Sequence, residues 1–418
     1  MKKHLAFILA AALLALPLAA CSTTPSGDAS TTTAGSGSDS NSSDKVIKVG
    51  VFEPVTGENG GGGFQEVLGI RYANQEQPTV DIGGQTYQVE LVEVDNKSDK
   101  TEAVSAAQSL VSSGVSVILG SYGSGVSIAA GDIFEEAKIP AIGVSCTNPQ
   151  VTSGNDYYFR VCFIDPFQGT VMANYAWGEG AKTAAVITQL GDDYSSGLGS
   201  YFTTSFKALG GTIADEEQFQ TNQTDFKAIL TNIKAANPDI IFAPSSIATA
   251  PLIIKQAREL GITAPITAGD TWENASIIEN AGDDAEGVAL STFFDEGDTS
   301  NTVATAFLSG FKAFLNADKS YLEKNGGEAV AAVSALGYDA YNVALEAIKA
   351  AGTTDSQAIR DALVNVDYTG VTGNITFDSN GDANKSIAYI KTIKDGVFTF
   401  LKTVEIADTG SSETTAAN

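Results

Sequence analysis

Two clusters of small polar side chains stand where short apolar runs end, and their types suit the two ends of a zwitterion. In the first half, Ser121, Tyr122 and Ser124 follow Val115–Leu119, and Ser145, Cys146 and Thr147 follow Ile139–Val144. In the second half, Tyr194, Ser245, Ser246, Asp270 and Trp272 stand beyond Ala184–Thr188, Ile240–Ala243 and Ile266–Ala268. Hydroxyls and backbone N–H groups hold an anion without a positive side chain. Asp270 is the one charged member of either cluster, and a carboxylate suits an ammonium. Taken singly each cluster is a weak signal, because Ser, Thr and Asp after a strand most often cap a helix.

The elements that would bring these clusters together alternate along the chain. Val46–Phe52 reads as a buried strand, followed by a Gly-rich turn and a helix from Phe64 to about Asn74. Tyr87–Val94 is another strand. Asp99-Lys-Thr-Glu102 reads as a capping box opening a helix whose apolar stripe is Ala103, Val104, Ala107, Leu110 and Val111. The order restarts near Ala181, with strands at Ala184–Thr188 and Thr212–Phe219 and helices at Gly197–Leu209, Phe226–Ala235 and Ala250–Leu260. Ile266–Ala268 and Val288–Phe293 would close the second sheet. Strands alternating with helices predict an α/β fold with mainly parallel sheets covered on both faces. The halves echo each other. Ile118-Leu-Gly-Ser is answered by Ile241-Phe-Ala-Pro 123 residues later, and Pro140 by Pro265, 125 residues later. Two similar lobes are expected. Ligands of open parallel sheets bind beyond the carboxyl ends of the strands, where both clusters fall.

Composition narrows the chemistry. The formal charge is −26, and loss of Lys2 and Lys3 would leave about −28. Such acidity argues against a nucleic-acid partner. The single histidine, His4, lies in the expected signal peptide, so the remaining chain has none for a Ser-His-Asp triad, a histidine base or a histidine-bound metal. No catalytic residue, cofactor or metal ion is expected. Lys2-Lys3, the apolar Leu5–Leu16 and Leu18-Ala-Ala-Cys21 follow the order of a secretory signal peptide. The cysteine resembles a bacterial lipobox, so Cys21 would be lipidated at the end of a signal peptide covering 1–21. Residues 22–44, almost all Ser, Thr, Gly, Ala and Asp, cannot bury a core and read as a flexible tether. About 370 residues remain beyond it, enough for two domains. The folded part is thus expected at the outer face of the cell membrane or in the periplasm. Cys146 and Cys162 could oxidise to a disulfide there, or remain two free buried thiols.

A family resemblance adds to this reading. Ile47-Lys-Val-Gly-Val-Phe-Glu-Pro-Val-Thr-Gly57, Ile118-Leu-Gly-Ser, Ser145-Cys-Thr-Asn-Pro149, Asp193-Tyr-Ser-Ser-Gly197 and Gly269-Asp270 stand in one order. With them the chain resembles the substrate-binding lipoproteins of branched-chain amino acid ABC transporters, over nearly all of residues 45–405. The resemblance implies the type I periplasmic-binding-protein fold, two α/β lobes joined by a three-strand hinge. Lobe 1 would comprise 45–164 and 290–370, lobe 2 165–289 and 371–406, with a disordered tail at 407–418. It further implies that Ser124, Ser145, Cys146 and Thr147 hold an amino acid from lobe 1. Tyr194 and Asp270 would close from lobe 2, with Asp270 on the ammonium. Tyr122, Trp272, Phe293, Phe294 and Phe64 would wall the side-chain pocket. The partners implied are a small amino acid, an ABC permease and, through Cys21, the membrane. The same fold could instead hold an amide, a short peptide or another solute, or serve as the sensing module of a signalling receptor. An extracellular enzyme using Ser and Asp is a more distant alternative.

The chain departs from the family where relatives carry aromatic residues, at Gly60–Gly63 and at Ser245 and Ser246. Both changes are expected to open the pocket. Three further signals are set aside. The run Gly57–Gly63 lacks the Lys-Ser/Thr ending of a phosphate loop. Asp378-Ser-Asn-Gly-Asp382 has its glycine at the wrong position for a calcium loop and reads as a polar turn. Asp192-Asp193 reads as a solvated loop.

Overall fold

The computed structural model describes residues 45–298 and 301–406. The expected signal peptide, Cys21, the tether and the tail from 407 lie outside the described residues. Among the described residues no helix is long and apolar enough to cross a membrane.

The first sheet is built from β1 (Val46–Glu53), β2 (Thr79–Ile82), β3 (Gln85–Asp95), β4 (Val117–Leu119), β5 (Ala141–Gly143) and β6 (Tyr158–Arg160), in the order β2-β3-β1-β4-β5-β6. The helices α1 (Gly60–Glu76), α2 (Lys100–Ser112) and α3 (Ser124–Ala137) connect its strands. After β6 the chain crosses to α4 (Asp165–Gly178) and the second sheet. That sheet contains β7 (Thr183–Gln189), α5 (Asp193–Ala208), β8 (Thr212–Phe219), α6 (Lys227–Ala236), β9 (Ile240–Phe242), α7 (Ala250–Glu259), β10 (Ile266–Ala268), α8 (Ala275–Ala281) and β11 (Ala289–Thr292). The chain then recrosses to α9 (Thr302–Ala317), α10 (Lys319–Asn325), α11 (Ala332–Ala351) and α12 (Ser356–Leu363). The hairpin β12 (Tyr368–Gly370) and β13 (Gly373–Ile375) follows, and a third crossing leads to β14 (Ile387–Lys394) and β15 (Val397–Glu405). The second sheet runs β15-β14-β11-β10-β9-β7-β8.

The two lobes repeat one topology. β3-β1-β4-β5-β6 and β8-β7-β9-β10-β11 are all-parallel runs of the same order. The offsets of 123 and 125 seen in the sequence are those between β4 and β9 and between β5 and β10. Central strands such as β4, β5, β9 and β10 are buried along their whole length, as strands covered on both faces must be. The edge strand β8 (TIADEEQF) alternates half-buried and exposed residues. Val288–Phe293 does not close the second sheet: β14 and β15 extend it as an antiparallel hairpin. The expected boundary at 290 falls inside β11, a strand of the second sheet, so the return crossing lies beyond Thr292.

The helix expected from Phe64 starts four residues earlier, and Gly60–Gly63 form its first turn. Packing explains why glycine is needed there rather than a turn. A Cβ at Gly63 would lie 2.1 Å from the Pro54 carbonyl oxygen, and one at Gly62 would lie 2.4 Å from the Tyr122 ring. Farther along, α1 crosses α11 with backbones almost touching. A Cβ at Gly69 would stand 2.0 Å from the Ser334 carbonyl oxygen, and Ser334 Oγ donates to Gln65 O at 2.8 Å. Gly69→Ala is therefore expected to lower stability by about 1–3 kcal/mol despite its better helix propensity, read as a shift of the urea midpoint. At α2, Asp99 accepts from the N–H groups of Thr101 and Glu102. Glu102 pairs with Lys97 instead of reaching back, so half of the capping box forms.

Candidate functional site

The carboxyl ends of β4 and β5 in lobe 1 face those of β7, β9 and β10 in lobe 2. Gly123 takes φ +102, a left-handed value suited to glycine, and places Ser124 as the first residue of α3. Ser124 Oγ accepts from Asn148 N at 3.1 Å, which ties the end of β4 to the end of β5. In lobe 2, Asp192 accepts from Ser195 N at 2.6 Å and so caps α5, setting Tyr194 in its first turn. Asp270 opens a short 3₁₀ turn after β10. Its Oδ1 accepts from Gln168 Nε2 at 2.7 Å and from the Tyr194 hydroxyl at 3.0 Å.

Tyr122, Ser124, Ser145, Tyr194 and Asp270 wall one gap between the lobes. Asn59, Gly123, Ser246 and Thr271 complete it, together with Asp192, which is a gap residue and a helix cap rather than a solvated loop residue. The lobes meet directly around the gap. Ile247 N donates to Asn59 Oδ1 at 3.0 Å, Asn148 Nδ2 to the Asp193 carbonyl at 2.8 Å and Tyr122 OH to the Thr271 carbonyl at 3.4 Å. Lys100 pairs with Asp193 at 2.7 Å across the rim. This closed arrangement leaves a space of about 10 Å³, room for about one water.

Other expected site residues stand elsewhere. Thr147 is fully buried, and its hydroxyl faces the Asp165 carboxyl. Cys146 points away from the gap into the cluster around Phe52, Phe134 and Tyr158. Trp272 is buried under the lobe 2 wall, and its indole N–H donates to the Ser245 carbonyl at 3.2 Å. Phe293 stacks on Phe163 with centroids 4.3 Å apart. It and Phe294 line a separate cavity of about 290 Å³ among the crossing segments. Phe64 packs against Tyr321. Gly62 and Ser245 therefore add no room to the gap, whereas Ser246 lines it and Gly61 borders a separate outer groove with Ile247 and Pro251. The Tyr122 ring takes the space over Gly62, and Trp272 takes that beside Ser245.

Cys146 and Cys162 are free thiols. They sit in different hydrophobic clusters, Cys146 with Phe52 and Phe134 and Cys162 with the large core shared by both lobes. Asp378 accepts from the N–H groups of Asn380 and Asp382, and Asp382 turns inward onto Arg160. This turn is held by the protein's own groups.

Asp270 is not the only acid here. Glu53, the last residue of β1, and Glu66 on α1 are fully buried behind the lobe 1 wall. Glu53 Oε2 accepts from Tyr122 N at 2.6 Å, and Glu66 Oε1 accepts from the Ser145 hydroxyl. Burial pushes Glu53 up to about 8, against the pull of its hydrogen bonds. Burial and then the neighbouring Glu53 raise Glu66 well above the usual carboxylate range. Burial lifts Asp165 to about 8 and Asp270 to about 6, where Gln168 and Tyr194 oppose the rise. One signal for Glu53 was available in the sequence: a charge ending the apolar run Val46–Phe52, just before Pro54.

The chain matches known proteins over the same span. A family model described as periplasmic binding protein matches residues 46–396. The Leu/Ile/Val-binding protein homolog 1 of Brucella abortus is 29% identical over 339 residues, covering 80% of this chain and 87% of that protein. The crystal structure of the leucine binding protein LivK from Thermotoga maritima is 38% identical, with a TM-score of 0.79, over 87% of this chain and 99% of that one. The branched-chain amino acid transporter substrate binding protein LivJ from Streptococcus pneumoniae, solved with isoleucine, is 31% identical. Its TM-score is 0.77, with the same coverage.

Proposed function

The chain belongs to the periplasmic binding protein family, and from that premise we propose that it captures an amino acid between its lobes and delivers it to the permease of an ABC transporter. It would do so on the outer face of the membrane, held by lipid on Cys21. The reading involves no bond-making step: ligand bridges the lobes, and its contacts to both favour the closed state.

The observation that carries the proposal is the pairing of unlike walls across one gap. Ser124, with Thr147 behind it, offers a hydroxyl and helix-start N–H groups on one side, next to Ser145, whose hydroxyl proton goes to Glu66. Asp270, steadied by Tyr194 and Gln168, offers a carboxylate on the other. An α-carboxylate suits the first wall and an α-ammonium the second. The names of the Brucella abortus and Streptococcus pneumoniae relatives support the same solute class. Because the closed gap holds about 10 Å³, an amino acid enters with the lobes apart and with Tyr122 swung off Thr271.

A thermal-shift screen of the twenty amino acids tests this. A true ligand at about 100 times its Kd is expected to add about 2.7 kcal/mol of stability. No shift with any amino acid would overturn the reading.

A further inference from the structure

The acids around the gap have no cations to meet. Glu53, Glu66, Asp165 and Asp270 are buried, and none forms an ion pair among the described residues. The two most deeply buried cations are taken elsewhere, Arg160 by Asp382 and Lys391 by Glu273 and Asp295. Behind Ser145, the Glu53 and Glu66 carboxyls face each other, and Glu53 Oε1 and Glu66 Oε2 meet no donor except a proton held between the pair. Two carboxyls so placed in a dry interior cannot both ionise; at least one keeps its proton or meets a cation. The gap itself is walled by Asn59, Ser124, Ser145, Tyr194, Asp270 and Thr271 among others, with no Leu, Ile, Val or Met. The apolar surface of this wall comes chiefly from the rings of Tyr122 and Tyr194, with no aliphatic side chain beside them.

We propose that this site takes a solute with two cationic nitrogens, one held by Asp270 and the second by the Glu53–Glu66 pair behind Ser145. The inference rests on the amino-compound reading of the gap and specifies its side chain. In the free protein at pH 7 burial keeps both carboxyls protonated, Glu53 being raised to about 8 and Glu66 well above the usual range. A second ammonium takes the place of one of these protons, which leaves to solvent. The other titratable groups facing the pair are Tyr122, Tyr158 and Cys146, each raised by burial and so neutral at pH 7, and Asp270. Arg160 lies beyond Cys146 and is committed to Asp382.

Titration calorimetry on the full chain at pH 7 tests the proposal. The probes are L-lysine and L-ornithine, their isosteres without the terminal ammonium (norleucine and norvaline), and their decarboxylated forms (cadaverine and putrescine). A basic probe is expected to bind about 10- to 100-fold tighter than its neutral isostere. Its binding should release about one proton, read from two buffers of different ionisation enthalpy. Glu66→Gln is expected to erase the preference, so that lysine binds the variant no tighter than norleucine does. If that variant fails to fold, the proton count on the unsubstituted protein decides. Tighter binding of the diamines would make a diamine the source of the charge, and weaker binding a basic amino acid. Neutral isosteres or leucine binding as tightly as the basic probes, or no proton released, would overturn the proposal and leave the amino acid reading standing. No binding by any probe or amino acid would bring both down.

Discussion

Replacing Asp270 with alanine is expected to weaken ligand binding by about 2–5 kcal/mol, roughly 30- to several-thousand-fold in Kd. The size follows from what would be left behind. An α-ammonium in this gap has left water, and Asp270 lines the space with its carboxylate held by Gln168 and Tyr194 from the same lobe, whereas Asp192 is engaged in capping α5. Without it the ammonium is buried and unpaired, and the Tyr194 hydroxyl and Gln168 amide lose their acceptor. Asp270→Asn separates charge from shape, because its amide oxygen can still accept from Gln168; it is expected to lose most of the same affinity. The pH dependence gives a second readout. Burial holds the free Asp270 at about 6, and only the ionised form binds an ammonium. Wild-type affinity for a neutral-side-chain amino acid is therefore level above about pH 6 and falls as pH drops through it. The alanine variant should lack that fall. Titration calorimetry across pH 5–8 checks both, and unchanged affinity in Asp270→Ala would remove this residue from the site.

What the sequence disclosed and what it hid divide along a physical line. The lobes were legible because buried parallel strands are continuous apolar runs and the helices between them are capped and periodic. The 123- and 125-residue offsets reappear as β4 with β9 and β5 with β10. The polar ends of those strands were legible for the same reason, since a ligand site in this architecture lies where strands stop. The contents of the gap were not. Whether Gly62 opens a pocket depends on the rotamer of Tyr122, sixty residues away, and Tyr122 lies over it. Whether Phe293 walls the site depends on where the chain recrosses, and β11 carries that crossing to the hinge. Glu66 is an acidic residue near the start of α1 that nothing in its local sequence marks as buried. It is buried because α1 is covered by α11, close enough that a Cβ at Gly337 would meet the Glu66 carbonyl at 2.5 Å. Contacts between residues far apart in the chain decide each of these, and no local pattern reports them.

The same long-range logic makes Arg160 the most consequential residue for stability. It ends β6, just before the first crossing, and is fully buried. Its Nε donates to Asp382 Oδ1 at 2.5 Å and its Nη1 to the carbonyls of Cys146 and Asn148, each at 2.7 Å; Nη2 donates to Thr152 Oγ1 at 2.7 Å. Its backbone N–H donates to Gly381 O at 3.0 Å. One guanidinium thus pins the loop that carries Ser145 and Thr147 to the third crossing segment. Arg160→Met is expected to cost about 3–5 kcal/mol, because Asp382 and two carbonyls would stay buried without their donor. Arg160→Lys should recover only part of this, since an ammonium cannot reproduce the fork. Removing both charges in Arg160→Met with Asp382→Leu is expected to cost clearly less than the two single changes added together, because no lone charge is then stranded. Thermal unfolding of the four proteins measures the cycle. The loop also bears part of the lobe 1 wall, so Arg160→Met should weaken ligand binding even at temperatures where it remains folded. Full stability in Arg160→Met would show that the loop and the hinge are held together by packing alone.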